Sequence, residues 1–100
     1  MIMHNPPHPG ELIHDVYLEP FNLSSRAVAK NLGVSPSTFN RIVKGQSSIS
    51  PEMALKLQIV LGGTPESWLA MQHQYDLWKA KQTINLKAVK TIDFDQLALA

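Results

Sequence analysis

The feature that most constrains this fold is a start signal for helices, which the sequence repeats three times. Residues 35–36, 50–51 and 64–65 each pair a serine or threonine with a proline. The hydroxyl side chain can cap a helix, and proline suits the first helical position. Gly45 and Gly62 follow at distances of one short helix, where glycine permits the chain to leave a helix tightly. The repeated signal predicts short helices joined by short loops.

Two further helices are predicted upstream of these three. Pro9 suits a first helical position, and that helix must end near Leu18 because Glu19 precedes a proline. Ser24 can cap a second helix, which Gly33 ends. The predicted helices cover residues 9–18, 25–32, 36–44, 51–61 and 65–81. The inner face of the first is predicted to consist of Leu12, Val16 and either Ile13 or Tyr17.

This pattern predicts an all-α fold, a compact five-helix domain over residues 1–81. Residues 82–100 are assigned to a C-terminal extension, which could lengthen the last helix, form a short strand or stay flexible. Because residues 91–100 have no cap and no turn signal, we treat them as a tail.

Composition excludes several classes of protein. The chain has no cysteine, which excludes disulfide scaffolds, thiolate zinc sites and cysteine nucleophiles. No apolar stretch approaches the roughly 20 residues that a membrane span needs. Residues 1–10 lack the basic start and apolar run of a signal peptide, so a cytoplasmic protein is expected.

Charge is distributed unevenly along a chain whose formal net charge is only +1. Residues 23–45 contain four cations and no acid, whereas residues 1–22 contain three acids and no lysine or arginine. A wholly basic segment between acidic ones favours a polyanion held at one place. Scattered cations on a solvated face are the ordinary alternative.

The basic segment also has the pattern of a helix-turn-helix over residues 23–45. Ala29 is small enough for a close helix crossing, Gly33 permits the turn, and Val34 can fill the space beneath it. Phe39 and Ile42 lie three residues apart and can anchor the second helix in the core. The opposite face of that helix presents Ser37, Thr38, Asn40, Arg41 and Lys44.

Such a face suits a DNA major groove, because base edges need hydrogen-bonding side chains and the phosphate walls need cations. Positions near helix ends assign a second group of side chains to the phosphates. This group comprises Arg26 and Lys44 together with the hydroxyls of Ser24, Ser25 and Ser35. A protein-interaction adaptor is the alternative, but an acid in the recognition face would favour it and there is none.

Two other sets of residues resemble sites in the sequence. His8, Glu11, His14 and Asp15 could suggest a metal site or a small metallohydrolase, but His8 lies outside the predicted helix and the H-E-x-x-H pattern is absent. We therefore predict no metal, no cofactor and no catalysis. Trp68, Met71, Tyr75 and Trp78 form an apolar ridge on the last helix. Trp68 is assigned to the core, whereas Met71, Tyr75 and Trp78 are predicted to form a homodimer interface.

The helix-turn-helix resembles that of Xre and phage-repressor-like (lambda-repressor-like) regulators, and residues 8–78 resemble HigA-type antitoxins. The residues that carry the second resemblance are His8-Pro9-Gly10-Glu11, Leu18-Glu19-Pro20, Ile42-Val43-Lys44-Gly45, Ile49-Ser50-Pro51-Glu52-Met53-Ala54-Leu55, Pro65-Glu66-Ser67-Trp68-Leu69 and Tyr75-Asp76-Leu77-Trp78.

The resemblance implies an antitoxin of a type II toxin–antitoxin system. Its expected partners are operator double-stranded DNA, where it represses its own transcription, and a cognate ribonuclease toxin. A free-standing transcriptional regulator without a toxin is the alternative. One position departs from the family pattern, in which glutamine usually follows the serine that opens the motif. Here Ser25 follows Ser24, and its shorter side chain reaches less far toward the DNA backbone.

Overall fold

A computed structural model of the chain describes residues 5–98, and the regular secondary structure in this range is entirely helical. The predicted all-α class is therefore confirmed. The helices are α1 (Pro9–Leu12), which continues as a π-helical segment (Ile13–Leu18), then α2 (Ser25–Leu32), α3 (Pro36–Val43), α4 (Pro51–Val60), α5 (Pro65–Thr83) and α6 (Phe94–Ala98).

The four predicted N-caps all form, because each side-chain oxygen accepts a backbone N–H of the first turn. The oxygen-to-nitrogen distances are 3.1 Å from Ser24 to Ala27, 3.2 Å from Ser35 to Thr38, 3.1 Å from Ser50 to Met53 and 3.0 Å from Thr64 to Ser67. Gly33 ends α2 in the left-handed conformation, with a φ of 73°. The helix starts therefore follow from local sequence.

The predicted inner face of the first helix is wrong at Val16, which is 49% exposed. The prediction assumed α-helical spacing, but Glu19 N donates to His14 O at 2.9 Å, five residues back. This wider turn is the reason that Ile13 and Leu18, five residues apart, are both buried. Leu12 and Tyr17 are partly buried against the core.

A single core of buried apolar side chains joins the helices α1 to α5. Trp68 from α5 belongs to this core with 2% exposure, as predicted, and its Nε1 donates to Gly62 O at 2.9 Å. The other buried apolar residues are Ile13, Leu18, Val28, Ala29, Leu32, Phe39, Ile42, Ile49, Met53, Ala54 and Leu57.

The C-terminal segment differs from the rest of the chain, because residues 84–98 are all exposed. Within the expected tail of residues 91–100, Phe94–Ala98 form the short helix α6. Asp93 stabilises the start of α6, since its Oδ1 accepts the Gln96 N–H at 3.1 Å. The last two residues of that expectation lie outside the described range.

No helix within residues 5–98 combines the length and the apolar character that crossing a membrane requires.

Candidate nucleic-acid interface

The helices α2 and α3 cross closely at the positions that the sequence indicated. Ala29 has no exposed surface, and Val34 N donates to Ala29 O at 3.1 Å where the chain turns. Phe39 and Ile42 are buried and fix the inner face of α3. The recognition face of α3 is defined here as the remaining polar residues Ser37, Thr38, Asn40, Arg41 and Lys44.

These five residues are not equally accessible. Ser37, Arg41 and Lys44 are exposed and lie on one side of α3, opposite the buried Phe39. Asn40 is half-buried at the edge of that side. Thr38 lies on the flank, and its hydroxyl oxygen is 2.7 Å from that of Ser35. The centre of the recognition face is therefore Ser37, Arg41 and Lys44.

The hydroxyls predicted to hold phosphate are mostly engaged within the chain. Ser24 and Ser35 accept the N-cap bonds of α2 and α3, and Ser35 also donates to Thr38 Oγ1. Ser25 is half-buried in the first turn of α2. The first residues of both helices are largely exposed, so backbone N–H groups there can supplement the side chains.

The cations differ in their surroundings. Arg26 is exposed on the first turn of α2, and within residues 5–98 it forms no ion pair. Lys44 follows the last residue of α3 and lines a groove that Glu11 and Glu19 also line. These carboxylates repel phosphate, so we expect a duplex to approach from the side of Arg41.

The C-terminal end of α3 is positioned by Gly10, for which the sequence predicted no structural role. A Cβ on Gly10 would overlap the carbonyl oxygen of Ile42, so only glycine lets the start of α1 lie against the end of α3. The sequence contained a signal for this contact, since a glycine inside the first turn of a helix is unusual.

His8, one of the four candidate metal ligands in the sequence, anchors the N-terminal segment. Its Nδ1 accepts the Gly10 N–H at 2.9 Å and caps α1. Its ring lies 4.9 Å from that of Tyr75 in an edge-on arrangement. Burial lowers the pKa of His8 below its usual value of 6.5, partly opposed by a hydrogen bond with the Ser47 backbone. The neutral ring is the form that fits this site.

Gln72 is the second buried polar residue of the core region. Its Oε1 accepts the Ile49 N–H at 2.9 Å, and its Nε2 donates to Asp76 Oδ1 at 2.9 Å. The first of these bonds ties the loop after α3 to α5, and the second lies within α5. No motif marks this role in the sequence, because the two partners lie 23 residues apart.

The candidate metal residues do not come together as one group. His8 is buried against Tyr75, whereas His14 and Asp15 are exposed on the π-helical segment. There His14, Asp15 and Glu19 bring ligand atoms within 4.8 Å of one another. A hydrogen bond with Asp15 raises the pKa of His14. The structure therefore does not bring His8 together with His14 and Asp15.

The apolar ridge of α5 is partly covered by the chain itself. Met71 packs against the core, Tyr75 packs against His8, and the rings of Tyr75 and Trp78 lie 6.1 Å apart. All three side chains are half-buried, so part of each remains accessible. Their role in a subunit interface stays a prediction.

Comparison with known proteins identifies the architecture. The sequence profile of the helix-turn-helix family matches residues 17–69, which include α2, α3, α4 and the start of α5. The chain belongs to this family. The family likeness confirms the resemblance that the motif suggested.

The relatives of this helix-turn-helix protein include antitoxins. Virulence-associated protein I of Dichelobacter nodosus is 49% identical over 79% of this chain and 76% of its own. Antitoxin HigA-1 of Vibrio cholerae is 39% identical over 72% of this chain and 68% of its own. A solved structure of antitoxin GraA in complex with its operator has a TM-score of 0.81 at 35% identity, covering 89% of this chain and 93% of that chain. The predicted similarity to HigA-type antitoxins is confirmed.

Proposed function

We propose that this helix-turn-helix protein is a HigA-type antitoxin, which binds operator DNA as a transcriptional autorepressor and neutralises a ribonuclease toxin. It acts by binding and not by catalysis, in the cytoplasm. The observation that supports operator binding best is the acid-free recognition face, centred on Ser37, Arg41 and Lys44. The antitoxin GraA, which has the same fold, has a solved structure in complex with its operator.

The residues of the proposed DNA surface divide into those that contact bases and those that contact phosphates. Arg41 lies at the centre of the exposed side of α3, where a bidentate contact with a guanine edge is the commonest specific interaction of arginine. Ser37, Thr38 and Asn40 supply shorter hydrogen-bonding groups. Arg26, Lys44 and the N-terminal residues of α2 and α3 hold the phosphates.

A dimer suits this function, because two recognition helices about 34 Å apart can read a palindrome on one side of the duplex. The accessible parts of Met71, Tyr75 and Trp78 are the proposed contact. Burial of a large aromatic side chain stabilises by roughly 1.5–3 kcal/mol. Trp78→Ala should therefore shift a dimer toward monomer, which analytical ultracentrifugation across a range of concentrations measures. A wild-type protein that stays monomeric yet binds a palindrome tightly would contradict the dimer.

The proposed function is tested by two measurements on the same protein. Affinity-tagged chain is co-expressed with the product of the adjacent gene, and we expect the two to purify together and ribonuclease activity to be suppressed. An electrophoretic shift assay with the upstream DNA should then give specific binding. Operator binding without a co-purifying toxin would favour the free-standing regulator, and absence of both would overturn the proposal.

A further inference from the structure

A second groove lies on the outer surface of the helix-turn-helix, beside the first turn of α2 and the start of α3. Its volume is about 530 Å³. Three of the residues that line this groove are apolar, and three are polar or cationic. The apolar group is Ala27, Val34 and Pro36, and the polar group is Ser24, Arg26 and Lys30. A partner that fits this basic groove must offer apolar side chains together with negative charge.

The C-terminal segment of the chain has this composition. Phe94 and Leu97 are 71% and 61% exposed and lie one helical turn apart on α6. Ile92, just before α6, is 59% exposed. Asp93 and Asp95 are the only charged residues after Lys90. The segment is thus acidic and amphipathic, and its apolar side chains are exposed within the described residues 5–98.

The elongated shape of the molecule indicates that this segment projects away from the rest of the chain. A compact domain of 100 residues has a radius of gyration of roughly 13 Å. The value here is 18.4 Å, and the longest dimension is 64 Å against 27 and 23 Å. A projecting arm with exposed apolar residues is suited to a neighbouring molecule.

We propose that residues 92–98 of one copy dock in the basic groove of a second copy. Phe94 and Leu97 lie against the apolar group of the groove, which removes their side chains from water. Asp93 and Asp95 face Arg26 and Lys30, so the charges of the two surfaces are complementary.

This contact competes with DNA, a consequence that rests on the proposed function. Arg26 and Ser24 belong both to the basic groove and to the proposed phosphate-binding set. The tail carboxylates therefore occupy cations that would otherwise hold any phosphate backbone, whereas operator DNA displaces the tail. The docked tail suppresses sequence-independent binding.

The absence of cysteine from the chain allows a clean cross-linking test. Ala27→Cys and Ala98→Cys are made separately, because both positions are exposed and neither removes an apolar anchor of α6. The two full-length variants are mixed under mild oxidation, so that a heterodimeric disulfide forms only between copies. Ala88→Cys, in the exposed segment before the acidic residues, replaces Ala98→Cys in the control mixture. We expect Ala27→Cys to cross-link faster with Ala98→Cys than with Ala88→Cys.

Charge reversal then tests the pairing directly. Lys30 is not among the proposed DNA contacts, and Asp95 does not cap α6. Lys30→Glu in the Ala27→Cys chain, or Asp95→Lys in the Ala98→Cys chain, should slow cross-linking about fivefold, the equivalent of one ion pair of about 1 kcal/mol. Combining the two reversals should restore the rate. Equal rates in all mixtures, or rates equal to that of the Ala88→Cys control, would overturn the docking.

Addition of operator DNA separates the two proposals. If the docking and the proposed function both hold, operator should reduce the cross-link. A cross-link that forms without any DNA binding supports the docking and refutes the DNA function. Normal operator binding without a selective cross-link refutes only the docking.

Discussion

The two ends of the recognition helix α3 are held in different ways. At its start, Ser35 provides a cap from within the same turn, and Ser37 in that turn is exposed. At its end, Gly10 from α1 lies against the carbonyl of Ile42. His8 lies beside Gly45, where a Cβ on that glycine would be 3.6 Å from the imidazole ring. Local sequence thus secures one end, and tertiary packing secures the other.

Because of this difference, the residues of α3 that contribute to stability and those available for recognition lie in different parts of a helix of eight residues. The end that contacts α1 is fixed by groups remote in sequence, so its position depends on the whole fold. The start and the exposed side of α3 are left accessible, which a surface for a large partner requires. Substitutions at the two ends should therefore have separable effects.

The largest effect is expected from Gly10→Ala. The added methyl group would overlap backbone atoms of Ile42 and Val43, which cannot move as a flexible side chain would. We expect the free energy of unfolding to fall by about 3 kcal/mol, at the upper end of overpacking effects. Urea denaturation measures this change.

Gly33→Ala is the matched control for this substitution. No atom lies within 4 Å of a Cβ at Gly33, so only its φ of 73° opposes the change. That strain costs about 1–2 kcal/mol. If Gly10→Ala proved no more destabilising than Gly33→Ala, the close contact between α1 and α3 would be refuted.

Arg41→Ala should affect the other property, recognition, and leave stability unchanged. Loss of a base contact costs roughly 1–3 kcal/mol of operator binding. The shift assay measures the affinity, and thermal unfolding checks the fold. Lys56→Ala on α4, which removes only a partly exposed ion pair with Glu52 at 3.6 Å, is the control and should bind operator as wild type does. Unchanged affinity in a folded Arg41→Ala protein would refute the assignment.

Ser35→Ala tests the locally secured end. It removes the cap of α3 and the hydrogen bond to Thr38, so we expect a loss of about 1 kcal/mol of stability. Ser48→Ala, at an exposed loop position, is the control and should change little. Equal unfolding midpoints for the two variants would show that the cap contributes nothing.

The smallest expected effect is on the pH dependence of stability, through His8 at the end of α3 that tertiary packing holds. Because burial lowers the pKa of His8, the unfolded chain takes up the proton first as the pH falls. The stabilising contribution of neutral His8 is complete above about pH 6.5 and is lost progressively below it. His8→Asn can still accept the Gly10 N–H but does not titrate, so its stability should vary less with acid pH.

The stabilising contribution of His14 depends on pH in the opposite direction over the same range. Asp15 raises its pKa, so its contribution is complete below about pH 6.5 and disappears as the pH rises through the raised value. Chemical denaturation of wild type, His8→Asn and His14→Asn between pH 5 and pH 8, on either side of the ordinary histidine pKa, separates the two. A His8→Asn protein with the wild-type pH dependence would contradict the role of His8.

The sequence by itself determined where the helices α1 to α5 start and which side of α3 is accessible. A cap such as Ser35 acts within one turn, and the spacing of Phe39 and Ile42 follows from the period of a single helix. Such information needs no knowledge of the rest of the chain. For the same reason, Ala29 and Gly33 could be recognised as the crossing and the turn of a helix-turn-helix.

Only the tertiary structure decided the register of the first helix and the anchoring of the recognition helix. The π-helical segment buries Ile13 and Leu18 and leaves Val16 exposed, because the core selects a spacing of five residues over the α-helical one. His8 and Gln72 are polar, and their burial becomes favourable only when partners distant in sequence supply hydrogen bonds. Those partners are brought together by the packing of α1, α3 and α5, which no local pattern encodes.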